Sequence, residues 1–175
     1  MLIFSLLNFT VQSELFMKSE LTGTIKALLD EYKKALNELI AVIEPLTSQQ
    51  ILAIRDDKTT DENCRSVQTI LTHVVYAGYG YTNFIENHYS SRKERRPKHL
   101  FENAEDYVKD LNGMFDYCEN YFVGHPGLPL EEYDASKKIL TRWGQVYDID
   151  QMMEHAIVHV LKHRRQIQRF LSPPS

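Results

Sequence analysis

Cysteine is scarce in this chain: Cys64 and Cys118 are the only two among 175 residues. They stand in unrelated contexts without CxxC spacing, which argues against a disulfide framework and against a cysteine-built zinc site. A basic surplus is missing too. The formal net charge is −4, whereas general nucleic-acid binders carry a positive excess. No segment reads as a membrane span. The apolar start, Met1 to Phe9, has no basic n-region and is far shorter than the roughly 20 residues a spanning helix needs. Strict apolar–polar alternation is absent, so no β-sheet is expected. HExxH, internal repeats and low-complexity tracts are also absent. What remains is one domain with one core, in a reduced, cytoplasmic setting.

Met17-Lys18-Ser19-Glu20 reads as a chain start placed directly before a helix. Residues 1–16 are therefore expected to be an upstream extension, and residues 17–172 a single helical domain. Within it, four stretches carry helical periodicity. From Leu21 to Glu44, apolar residues recur in steps of three and four until Pro45 closes the run. A second helix opens at Ser66 as N-cap and runs through Ile85, with Gly78 and Gly80 inside it, where small residues permit close approach of a neighbour. A third spans about Asn103 to Phe122, and a fourth begins after Asp148 or Asp150 and ends before Ser172-Pro173-Pro174. The expected fold class is all-α, a four-helix bundle. The connections 45–65 and 123–148 are each long enough to cross such a bundle, so simple up-down-up-down topology is not favoured. Thr47 to Leu52 adds a short helical turn within the first.

The last helix carries His155, His159 and His163 at intervals of four. Four residues is about one helical turn, so these imidazoles form a ladder on one face. The outer two are about 12 Å apart, and one small ion can be shared only by His155 with His159 or by His159 with His163. His73, in the second helix, is a candidate third ligand. An arbitrary HxxxH is more often a solvated stripe or a set of hydrogen-bonded core histidines than a metal site. A His73 ligand from a separate helix is what an inter-helix site would need. Three imidazoles suit zinc, nickel or another late divalent ion, and leave a coordination position open. No carboxylate is tied to the triad by spacing, so no general base is named.

The run His159-x-x-x-His163-Arg164-x-Gln166-Ile167, with Leu71-Thr72-His73 in the second helix, resembles the DinB/YfiT-like family of metal-binding four-helix bundles. The resemblance covers about residues 20 to 171. It implies a metal triad at His73, His159 and His163, a bundle with non-simple connections, and often a homodimer. Several members of that family are S-transferases or isomerases that use a low-molecular-weight thiol, and others are assigned as metal-dependent hydrolases. The family often has glycine where this chain has Arg165, and the resemblance gives His155 no role.

Several features are read as structural. The basic run from Ser91 to His99 is expected to be a solvated loop rather than a phosphate or nucleic-acid site. Cys118 reads as core, His88 and His99 as surface. Trp143 is expected to pack its connection onto the helices, and Tyr76, Tyr79 and Tyr81 lie near His73, with Tyr81 on the apolar stripe. The functional expectation is a cytoplasmic metal-dependent enzyme, a thiol S-transferase or a hydrolase, acting on a small molecule. The alternative is a non-catalytic interaction or stress-response bundle whose histidines are structural.

Overall fold

The computed structural model describes Leu21 and residues 23–90 and 92–173; the expected extension, 1–16, lies outside them. The described chain is mostly helical. Helix α1 spans Gly23–Ile43, the short α2 Ser48–Leu52, α3 Val67–Tyr89, α4 Ala104–Gly124 and α5 Ile149–Leu171. Each long helix buries the face its periodicity marks. In α1 that face is Leu29, Tyr32, Leu36, Leu39 and Ile43. The expected N-cap at Ser66 is in place. The Ser66 hydroxyl accepts from Thr69 N at 3.1 Å, while Thr69 Oγ1 accepts from Ser66 N at 3.0 Å, so the two residues satisfy each other's orphan amides. Asp148 and Gln151 make the same reciprocal cap on α5, while Asn103 caps α4 one way, its side chain accepting from Asp106 N.

The order of packing is not the order of sequence. Helix α1 packs on α5 and α4, and α3 packs on α4 and α5. Helices α1 and α5 run parallel: Leu28 shares a groove with Glu154 and Ile157, and ten residues on, Glu38 pairs with Arg164. Helices α3 and α4 also run parallel, since Thr72 meets Tyr107 and Asn83 meets Tyr117. Helices α3 and α5 are antiparallel.

Parallel neighbours need a connection that returns along the helix. Segment 90–103 supplies it, pinned at four heights of α3. Lys93 N donates to Asn87, Arg95 Nη2 to the Tyr76 carbonyl at 2.9 Å, Thr72 Oγ1 to the His99 carbonyl, and Gln68 to the Phe101 carbonyl. Extended, these residues reach about 46 Å, and α3, with 23 residues, is about 35 Å long. The basic run is a loop and mostly exposed, as expected, with only Arg95 and Arg96 half-buried. Lys93 pairs with Glu86, and Arg96 forks onto Asp110 at 2.7 and 3.2 Å. The traverse thus falls on the shortest connection between long helices, not on 45–65 or 123–148.

Those two longer segments fold locally instead. The first holds α2, a bridge between Ile54 and Ser66, and a 3-10 turn at Glu62–Cys64. The second holds a two-stranded antiparallel hairpin, β1 Ile139–Leu140 with β2 Val146–Tyr147. With strands of only two residues, the hairpin leaves the fold consistent with the all-α expectation. Its turn needs Gly144, whose φ of +85° is unfavourable for a residue with a Cβ. Glycine has a different use at Gly78. A Cβ there would lie 2.0 Å from Met114 Sδ and 2.9 Å from the Tyr32 hydroxyl, so its absence lets α4 and α1 close onto α3. No helix among the described residues is long and apolar enough to cross a membrane.

Candidate metal centre

Antiparallel packing of α3 on α5 brings His73 against the last two rungs of the ladder. Nε2 of His73 and Nε2 of His159 are 3.0 Å apart. The ring centroids of His73 and His163 are 5.1 Å apart, those of His159 and His163 4.5 Å. One ligand nitrogen from each of the three residues lies within 4.8 Å of the others. Of the two pairings the spacing allowed, the structure selects His159 with His163. His155 lies one turn away, its ring stacked at 6.3 Å from that of His159.

The donor set fits a cation. Two imidazole lone pairs 3.0 Å apart repel unless a proton or a metal ion lies between them. Two nitrogens bonded to one ion at about 2.1 Å would be roughly 3.0–3.4 Å apart, depending on the bond angle. Orientation of the third ring is also set. Gln166 Oε1 is 3.0 Å from His163 Nδ1. With the amide oxygen facing the ring, Nδ1 carries the proton and the Nε2 lone pair is left for a ligand bond.

Burial keeps the imidazoles neutral, as metal ligands must be. It lowers His73 from 6.5 to about 4, helped by repulsion from His163, and lowers His159 to about 2. His163 is lowered as well, again chiefly by burial. The unfolded chain therefore takes up protons near pH 6.5 that the folded chain refuses. Stability from these groups is complete above that pH and declines as pH falls from 6.5 toward 4. The melting temperature of metal-free protein is expected to drop through this window. It should drop less in a His73→Ala, His159→Ala double variant, as a pH series of thermal melts would show.

The three histidines open into a cavity of about 240 Å³, lined also by Asp61, Cys64, His155, Val158 and Lys162. No family model, curated protein or solved structure matches the chain. What the site can do therefore rests on its own chemistry.

Asp61 and Cys64 were not singled out as partners of the triad by sequence. Both belong to the 3-10 turn, where Asp61 is the N-cap and accepts from Asn63 N at 2.9 Å. That backbone bond lowers the Asp61 pKa, so its carboxylate is charged at neutral pH. The Cys64 thiol faces Asp61 Oδ2 at 3.4 Å and Gln166 Oε1 at 3.7 Å. Burial raises its pKa, so it rests as a thiol rather than a nucleophilic thiolate. Cys118 is buried in the core, with burial pushing its thiol up to about 12. His88 and His99 are exposed, as expected.

Beside the cavity, against His155, stands an aromatic cluster. Tyr81 stands edge-on to His155 at 5.2 Å and to His159 at 5.7 Å. Trp143, from the hairpin turn, stacks on His155 at 5.8 Å and meets Phe84 at 5.6 Å. The Tyr147 hydroxyl contacts His155 Nδ1 at 3.3 Å. Trp143 thus packs its connection onto the helices, as the sequence suggests, and does so against the unassigned histidine.

Proposed function

We propose that this chain is a DinB/YfiT-like four-helix bundle with a long crossover connection. It binds one divalent transition metal, zinc or nickel, through His73, His159 and His163. On this reading it is a cytoplasmic, homodimeric, metal-dependent enzyme of the thiol S-transferase or hydrolase type, acting on a small molecule. The observation that carries the metal assignment is the convergence of three neutral imidazoles, from two helices, on a cavity open to solvent. Parallel α3 and α4, joined by a segment that retraces α3, support the crossover topology.

Bound there, the ion would supply Lewis acidity and lower the pKa of a water or thiol in its open position. Gln166 holds His163 in the tautomer that presents Nε2. Asp61 is the one carboxylate lining the cavity, and in its charged form it can accept a proton from a group bound there. Tyr81 and Trp143 pack against His155, one turn from the converging imidazoles.

Elemental mass spectrometry on untagged protein tests the reading. About one zinc or nickel per chain is expected, absent from His73→Ala and from His159→Ala. Metal retained by both variants, or no metal in the parent, would return the chain to the non-catalytic class.

A further inference from the structure

The outer face of α5 carries an exposed stripe with an apolar residue at its centre. Glu154, Val158, Lys162, Arg165 and Arg169 recur there in steps of three and four, all exposed. Val158 is 61% exposed, and four hollows meet at it. One of these is bounded by Val146 of the hairpin, which is itself exposed and paired across the strands with the exposed Leu140. A single exposed valine is ordinary. One ringed by hollows and joined to a second apolar pair has the form of a contact surface.

The charges on this face are sorted by sign. Toward the start of α5, Asp150 and Glu154 share a hollow with Glu31 of α1. Toward its end, Lys162, Arg165 and Arg169 line another. Glu154 and Lys162 are about 12 Å apart along the axis, with Val158 midway, so each meets the valine rather than a charge one turn toward the centre. Among the described residues neither has an ion pair, whereas the exposed Lys26 and Lys109 pair with carboxylates one turn away. Such a pattern is complementary to its own reverse. A second α5 laid antiparallel, valine on valine, sets the partner's Lys162 opposite Glu154 and the partner's Glu154 opposite Lys162. At the roughly 8–10 Å spacing of packed helices, these side chains meet. A parallel arrangement would oppose like charges instead.

We propose that two copies of this chain pair through this face, antiparallel about a two-fold axis beside Val158, and that the partner's Glu154 stands at the rim of each metal cavity. The rim is shared because Val158 and Lys162 also line that cavity, together with His155. The proposal rests on the homodimer of the functional reading and gives it a surface and a part in the site. A face about 35 Å long and two helices wide matches the roughly 800 Å² that each partner buries in a stable dimer. Its apolar centre and charged margins follow the usual division of such interfaces.

Analytical ultracentrifugation of the metal-free full chain over a range of concentrations is the test. A dimer is expected. Val158→Arg, which sets two guanidiniums against each other across the axis, should weaken it about a hundredfold or more. Glu154→Lys and Lys162→Glu should each weaken it about tenfold. The variant carrying both changes restores opposite charges across the interface and should return to within about threefold of the parent, a recovery that a folding defect would not show. A dimer indifferent to these changes, or a double variant no tighter than the single ones, would overturn the proposal while leaving the homodimer and the metal reading intact. A monomeric parent would overturn it together with the homodimer and leave the face to another occupant. One metal ion per chain in that monomer would still uphold the metal reading.

Discussion

Stripping metal from the loaded protein is expected to lower its melting temperature by about 8–16 °C. An ion present at a thousand times its dissociation constant stabilises the folded state by about 4 kcal/mol, and a domain of this size shifts by about 2–4 °C per kcal/mol. The effect should belong to three residues only. His73→Ala and His159→Ala should melt at one temperature with or without added zinc, because two remaining imidazoles hold an ion weakly. His155→Ala should keep the metal-dependent increment, since its ring lies outside the converging set, 6.3 Å from that of His159. Thermal melts with and without a chelator, across the parent and these variants, measure it. An increment that survives loss of His159, or disappears with His155, would place the ion elsewhere.

The second large effect concerns the contact that closes the core. Met114 Sδ occupies the notch left by Gly78, under the Tyr32 hydroxyl, and Met114 is fully buried. Met114→Ala should cost about 2–5 kcal/mol, from lost burial and the cavity it leaves. Gly78→Ala gains about 1 kcal/mol of helix propensity. Its methyl group, however, would intrude on a packed core, at about 1–3 kcal/mol, so the variant is expected to be less stable. The double variant should be more stable than the sum of the two losses, because the new methyl enters space the methionine has vacated. Urea unfolding of the four proteins closes the cycle. Strict additivity would mean that the two residues do not share that space.

Much of this architecture was legible in the chain because it depends on local chemistry. Period-3.6 apolar stripes gave α1, α3, α4 and α5, and Ser66, Asn103 and Asp148 marked starts that side-chain capping confirms. The grouping of the three histidines was legible because two share a helix face and His73 stands in a second apolar helix; the resemblance implied the same three. What escaped was non-local. Strands of two residues are too short to show alternation, so the hairpin left no pattern. Length alone could not say which connection retraces a helix; the answer lay in which carbonyls Arg95, Thr72 and Gln68 reach. Asp61 and Cys64 sit in a 3-10 turn outside any periodic segment, and only the folding of 44–66 carries them to His73. His155 and Trp143, distant in function by sequence, turn out to be stacked partners.

His73 and His159 are 86 residues apart in the chain. No local segment can assemble the centre, which comes into existence only when the second and last long helices have docked. An ion shared between them would act as a tether across a long loop, restricting partly opened forms in which α5 has swung away from α3. Occupancy of the centre and docking of the C-terminal helix would then be one event rather than two. The site would be the last part of the molecule to form and the first to register its loosening.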